Sequence, residues 1–329
     1  MIGVSAALLA APTYASETAF RIGGETVATS WDWELLAGPA TITEGPVWDG
    51  AGLFYTSIEA NEIRRFDPAT GDVTTLYRDS GGSNGLAFGP DGALYACEGT
   101  GRAVVRYDAN GTKTTLADRF AGRRLNSPND LVLDSDGRIW FTDPRYGENH
   151  SDRELDHDSV YRITPPAQGV GPWPIERLTV DTTRPNGLLL SWDERTLYVA
   201  QSDYDMKSVR QLRAYPIAAD GTLGAFTVLH DFGEARGIDG MCWDTEGAIV
   251  ATCGWELSGP GSRIAVFATD GTVLEEQPVP AGRPTNCAFG GPNLDTLFVT
   301  TMDGRLYRIP NTGRRGQLQP PPARPFLHQ

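Results

Sequence analysis

Six short segments of the 329-residue chain share one pattern: a polar residue, a short apolar run, a glycine-rich or acidic turn, and a second apolar run. They begin Glu44-Gly-Pro-Val-Trp48, Asn84-Gly-Leu-Ala-Phe88, Asn129-Asp-Leu-Val-Leu133, Asn186-Gly-Leu-Leu-Leu190, Asp239-Gly-Met-Cys-Trp243 and Thr285-Asn-Cys-Ala-Phe289. Second runs such as Leu94-Tyr-Ala96, Ile139-Trp-Phe141 and Leu297-Phe-Val299 follow. Units of this kind cannot bury an apolar face alone and must stack on one another, which restricts the chain to a repeat array. The starts lie 40, 45, 57, 53 and 46 residues apart, the spacing of propeller blades, and four strands fit each interval. In the second repeat these are predicted at 85–89, 93–98, 103–108 and 112–116, joined by Asp/Asn-Gly turns.

The sixth repeat runs out one strand short, after Arg305-Leu-Tyr-Arg-Ile309. Trp33-Glu-Leu-Leu36 stands as far ahead of Glu44 as Leu76 stands ahead of Asn84, so residues 31–37 are read as the missing outer strand. Closure by that strand removes an exposed sheet edge. The expected fold is therefore all-β: a six-bladed β-propeller of four-stranded blades, closed by an N-terminal strand, over residues 21–311. Residues 1–20 form a small-residue apolar run ending near Ala15-Ser16 and are read as a signal peptide or mobile segment, which places the protein in the periplasm or secreted, otherwise in the cytoplasm. Residues 312–329 lack periodicity and are read as a poorly ordered tail.

A net charge of −14 repels phosphate backbones and anionic lipid, so neither nucleic acid nor membrane is an expected partner. No apolar stretch is long enough to span a bilayer as a helix. Lys113 and Lys207 are the only lysines, which disfavours Schiff-base chemistry. The four cysteines, Cys97, Cys242, Cys253 and Cys287, show no metal-site or CxxC spacing. Cys242 is expected opposite about Ile249, out of register with Cys253, so all four are read as buried thiols.

Around a ring axis the six leading residues converge as one Glu, one Asp, three Asn and one Thr. A hydrated polar channel accounts for Asn84 and Thr285 but not for Glu44 beside Asp239, since two converging carboxylates repel unless a cation lies between them. Oxygen ligands without His or Cys favour Ca²⁺, then Mg²⁺ or Mn²⁺, with Zn²⁺ able to substitute. Loops 147–159, 202–208 and 254–261 emerge on the face of this ring. Gly81-Gly-Ser-Asn-Gly85 satisfies G-x-S-x-G, but a strand follows where a nucleophile elbow needs a helix. Asp134-Ser-Asp-Gly137 is a hairpin turn without the Glu of a calcium loop.

Thr43-Glu-Gly-Pro-Val-Trp48, Asn126-Ser-Pro-Asn-Asp-Leu-Val132 with Trp140-Phe-Thr-Asp-Pro-Arg-Tyr-Gly147, Arg184-Pro-Asn-Gly-Leu188, Gly237-Ile-Asp-Gly-Met241 and Pro284-Thr-Asn-Cys-Ala-Phe-Gly-Gly291 together resemble the signatures of the gluconolactonase, senescence-marker and luciferin-regenerating-enzyme family. The resemblance spans about residues 40–310. It implies one catalytic divalent cation held by Glu44, Asn186 and Asp239, with Asn129 facing metal or substrate. Animal members acting on sugar lactones carry an Arg two residues before that Asn, and here the position is Ser127, so substrate identity does not transfer. A diisopropylfluorophosphatase-like branch shares the ring but cleaves phosphotriesters, and strictosidine-synthase-like propellers share the fold without the metal.

The leading expectation is a metal-dependent lactonase opening a sugar lactone or related cyclic ester, with Asp239 or cation-associated water supplying base and nucleophile. The alternatives are a calcium-dependent phosphotriesterase-like hydrolase and a non-catalytic interaction platform. Asp143, Arg145 and Tyr146 are expected on the substrate-pocket wall. Arg119, Arg123, Arg124, Arg145 and Arg153 gather on the site face, where each is expected to pair with Asp118, Asp143, Glu148, Asp152 or Glu154, yet together to draw in an anionic substrate. The oligomeric state is not encoded in any of these features.

Overall fold

A computed structural model describes residues 20–22, 25–27, 31–146, 150–167, 173–203 and 209–318. It places six four-stranded antiparallel sheets around a common axis, each a meander with its first strand innermost. The second blade runs Ser83–Phe88, Leu94–Glu98, Ala103–Tyr107 and Lys113–Ala117, each strand within two residues of its predicted bounds. Each sheet buries both faces because blades stack face to face, and the apolar residues sort into six clusters, one between each pair of neighbouring blades. The interface between blades one and six packs Trp48, Leu53, Tyr55 and Phe66 against Phe298 and Leu306, with Trp48 and Phe298 stacked at 5.8 Å.

Glu34–Ala37 pairs antiparallel with Leu306–Pro310 as the outermost strand of the sixth sheet, in the register Leu306↔Ala37, Tyr307↔Leu35 and Arg308↔Glu34. Just ahead of it Trp31 and Trp33 are buried, and Trp33 meets Tyr307 edge-on at 5.8 Å.

The polar head of each repeat sits at an irregularity of the innermost strand. Register shifts fall between Glu44 and Val47, Ser83 and Leu86, Pro185 and Leu188, Ile238 and Met241, and Pro284 and Cys287. A bulge bends the strand and re-aims its side chains, which turns the polar residue toward the axis while the following apolar residues keep facing the neighbouring blades. In the third blade the inner strand shortens to Leu131–Leu133, and Asn129 precedes it, its backbone tied to Thr142 at 2.9 Å.

Three sequence-level expectations differ from the fold. Residues 254–261 are not a free loop: Ile249–Trp255 and Ser258–Phe267 keep pairing to Trp255↔Ser258, so the excursion is an extended hairpin. Cys242 pairs with Val250, one residue from the expected position and out of register with Cys253, but it is half-buried rather than buried, and its sulfur lies 3.7 Å from that of Cys287 on the next blade; all four thiols are free. The segment 312–318 is anchored, because Arg314 pairs with Asp244 and Glu275 and Leu318 packs into the cluster between blades six and one. The proposed leader, most of loop 202–208 and the tail beyond 318 lie outside the described residues.

The burial of Trp31 and Trp33 generates a test. Removing residues 1–20 should leave the denaturant midpoint unchanged, whereas removing residues 1–40 should cost on the order of 5 kcal/mol or more, since losing one buried Trp typically costs about 3–5 kcal/mol. Equal unfolding curves for the two truncations would contradict a closing role for the N-terminal strand.

Candidate functional site

The inner strands approach one another closely at the axis, which explains the glycine that follows the polar residue in four repeats. At Gly45, with φ of 51°, a Cβ would lie 2.2 Å from the Asn84 carbonyl oxygen, and at Gly187 it would lie 2.6 Å from that of Asp239. The backbone of one anchor thus rests on the glycine of the preceding anchor, and the polar side chains are drawn into one ring.

The ring floors a cavity of about 640 Å³ lined by Glu44, Asn84, Asn129, Asn186, Asp239 and Thr285, together with Ser127, Arg102, Arg145, Tyr146, Asp152, Arg283, Ile42, Ile58 and Met302 among others. The structure therefore brings Glu44, Asn129, Asn186 and Asp239 together. Asn186 Nδ2 donates to Asp239 Oδ1 at 2.6 Å, and Glu44 Oε2 accepts from the Gly45 amide at 2.7 Å and from Asn286 Nδ2 at 3.1 Å. Asp239 also forms a buried ion pair with Arg236, a counter-charge that no repeat pattern announced. Thr285 is a structural member: its hydroxyl donates to the Thr43 carbonyl at 2.7 Å.

Beneath the ring lies a second tier. Where the third and sixth repeats replace glycine, Asp130 and Asn286 project into the channel, and Asn286 links toward Glu44. Sequence reasoning passed over both, although the break in the polar-Gly pattern at these two positions was the available signal. Burial, followed by the charges of Asp239 and Asp130, pushes the Glu44 carboxyl well above the usual carboxylate range. Burial likewise raises Asp130 to about 7. Three acids face one compensating arginine at the floor, and Asn84 Oδ1 is buried there with no hydrogen-bond partner among the described residues. Excess negative charge with an orphaned hard oxygen suits a divalent cation. The described residues place no three Asp, Glu, His or Cys side chains as one ligand group, so a cation here relies on carboxamide oxygens as well as on Glu44 and Asp239. The Asn186 carboxamide presents nitrogen to Asp239, and rotation about its terminal bond presents oxygen instead.

Arg145 and Tyr146 line the cavity wall. Asp143 does not: it is completely buried, and its two carboxylate oxygens accept from the Asn126 and Ser127 amides, both at 2.8 Å. Its strand position pointed to the wall, but its side chain turns inward and pins the turn that delivers Asn129. Of the five arginines expected at the mouth, Arg145 alone lines the cavity. Arg119 pairs with Asp118, Arg145 with Asp152 and Arg153 with Asp158, while Arg123 donates to the Glu154 carbonyl and the Arg124 amide to the Glu154 carboxylate. Arg102 and Arg283 were missed: Arg102 belongs to no repeated motif, and Arg283 shares its Arg-Pro position with Arg184 alone, two residues ahead of a polar anchor. Ser83 of the G-x-S-x-G match is buried and donates to the Ser80 carbonyl at 2.7 Å, which leaves it no role as a nucleophile.

Burial raises the Asp143 carboxyl to about 7, against the lowering pull of the two backbone amides. The folded state thus holds this proton to higher pH than the unfolded chain, whose aspartates titrate near pH 4. Its stabilising contribution is complete below that value and is lost as pH rises through about 7. Stability measured from pH 5 to 8 should therefore fall less steeply in Asp143→Asn, by up to about 1.4 kcal/mol per pH unit. Parallel slopes would place the titration elsewhere.

The family described as the SMP-30/Gluconolactonase/LRE-like region matches residues 42–303. A gluconolactonase of Zymomonas mobilis is 32% identical over 81% of this chain and 78% of its own length. A pentonolactonase of Haloferax volcanii is 29% identical over 79% and 81%. The solved structure of a gluconolactonase from Xanthomonas campestris superimposes with a TM-score of 0.73 at 32% identity, covering 88% of this chain and 90% of that one. The matched segment spans all six polar anchors, and the chain belongs to the SMP-30/gluconolactonase/LRE-like family.

Proposed function

We propose that the protein is a lactonase that opens a sugar lactone or related cyclic ester in the axial cavity, with one divalent cation, calcium foremost, as cofactor. The observation that carries this reading is the convergence of Glu44 and Asp239 with Asn84, Asn129 and Asn186 on the floor of one cavity. Likeness to gluconolactonases and a pentonolactonase supports the substrate class. Glu44, Asn186, Asp239 and Asn129 would hold the cation, which when bound supplies Lewis acidity toward a carbonyl oxygen.

The protein's own groups do the rest. Asp239, with Arg236 holding one of its oxygens, is oriented to take a proton from an attacking water as general base. Asn129 projects from a turn held rigid by Asp143 and orients substrate oxygens by hydrogen bonding. Ile42, Ile58 and Met302 cover one side of the cavity and limit bulk water around the reacting ester.

Purified protein should contain about one divalent cation and hydrolyse sugar lactones in a chelator-sensitive manner, while organophosphate triesters remain intact. Triester cleavage without lactone cleavage would assign it to the phosphotriesterase alternative, and neither activity would leave a binding platform. Asp239→Asn should lower kcat by about 10²–10⁴-fold, the range for loss of a positioned general base, with the unfolding midpoint little changed. Retained turnover would locate the base elsewhere.

A further inference from the structure

Three arginines line the cavity, and two of them are engaged. Arg102 donates Nε to the Leu125 carbonyl and Nη1 to Asp152, at 2.5 Å and 3.4 Å. Arg145 donates Nη2 to the other Asp152 oxygen at 2.5 Å. Arg283 differs. Its backbone carbonyl accepts from the Met302 amide at 2.9 Å, but its guanidinium pairs with no carboxylate among the described residues, and its Nε is buried without a partner. An orphaned buried donor occurs at Arg102 Nη2 as well, so what sets Arg283 apart is the missing carboxylate: a half-buried guanidinium without a counter-charge in a ligand cavity suits a partner that arrives from solution.

The repeat supplies an internal control. Arg283-Pro284-Thr285 occupies the same place in the sixth repeat as Arg184-Pro185-Asn186 does in the fourth. Arg184 is answered by Asp203 at 3.8 Å and lies over the Tyr146 ring at 5.7 Å, and it is not part of the cavity wall. Only the sixth-blade copy lines the cavity, and among the described residues no ion pair engages it, although the Glu256 carboxylate lies against the preceding Gly282. The lining charges balance as Arg102, Arg145 and Arg283 against Glu44, Asp152 and Asp239, while Arg236 and Asp130 behind them cancel. A neutral cavity in a chain of net charge −14 is already a relative minimum of negative potential, and any cation at its floor makes it positive.

We propose that Arg283 is an anion-recognition residue that selects lactones carrying a carboxylate or similar oxyanion away from the scissile ester. The inference rests on the lactonase reading for its substrate class. In the closed ring Arg283 stands on blade six, diametrically across the polar floor from Arg145 on blade three. A lactone whose ester lies over the floor can reach blade six with a remote substituent, where Arg283 meets it. A guanidinium offers a planar fork that fits a carboxylate. Ile42, Ile58 and Met302 share this cavity, and low-dielectric walls strengthen the pairing.

The test compares D-glucaro-1,4-lactone, which keeps a free carboxylate, with neutral D-glucono-1,4-lactone. The wild-type protein should favour the acidic lactone in kcat/KM. Arg283→Gln should reduce that preference about 10- to 100-fold, as expected for loss of a charged hydrogen bond, mainly through KM, and Arg283→Lys should restore part of it. Calorimetric binding of D-glucarate to the metal-free protein should weaken in Arg283→Gln more than binding of D-gluconate. An unchanged preference, or an equal loss toward both lactones, would overturn the role of Arg283 while leaving the lactonase reading intact. If neither lactone is hydrolysed the lactonase reading fails, and the glucarate and gluconate affinities still decide whether Arg283 recognises anions.

Discussion

The close approach of the inner strands around the axis governs the rest of this molecule. Six strands cannot meet at one centre with ordinary side chains on every position, so a glycine receives the backbone of the neighbouring anchor, as Gly45 receives Asn84 and Gly187 receives Asp239. In five of the six blades the inner strand also carries a bulge, which turns its polar side chain inward. Packing and chemistry are thereby produced by one local device. An added Cβ at either glycine would meet backbone rather than a movable side-chain tip, and would displace the anchors that form the site.

Drawing polar groups together has an electrostatic cost that the protein leaves partly uncompensated. Glu44 and Asp239 are buried and Asp130 is half-buried, and Arg236 answers Asp239 directly. The raised carboxyl of Glu44 registers that imbalance, through burial first and the neighbouring charges second. A site strained in this way by like charges has a built-in affinity for positive charge. The cavity above is different in character, because its arginines, apolar wall and Tyr146 offer hydrogen bonds, dry surface and one unanswered positive group to a small anionic or hydroxylated molecule.

Stability rests on six equivalent interfaces rather than one core, since each apolar cluster joins two adjacent blades. Such a ring depends on its weakest seam, and the seam at blade six is completed by Trp31, Trp33 and the strand Glu34–Ala37 from the far end of the chain. The segment 312–318 adds a covering to the same region through Arg314 and Leu318.

The repeat, its period and its polar anchors were legible in the sequence because blade geometry imposes a local signal: alternating apolar runs, turn glycines and one hydrophilic residue at a constant offset. From these alone come the fold and the convergence of Glu44, Asn129, Asn186 and Asp239. What the sequence left open involves positions where residues far apart in the chain meet side by side. Asp143 reads as pocket wall from its place at a strand end, yet it turns inward because the Asn126 and Ser127 amides require an acceptor. Arg236, Asp130 and Asn286 join the site through neighbours that no linear motif records. Arg184 and Arg283 occupy the same motif position, and only their three-dimensional surroundings distinguish an arginine paired with an acid from one that lines the cavity. Periodicity is a property of the chain, whereas charge compensation is a property of the space between chain segments, and that space exists only once the ring has closed.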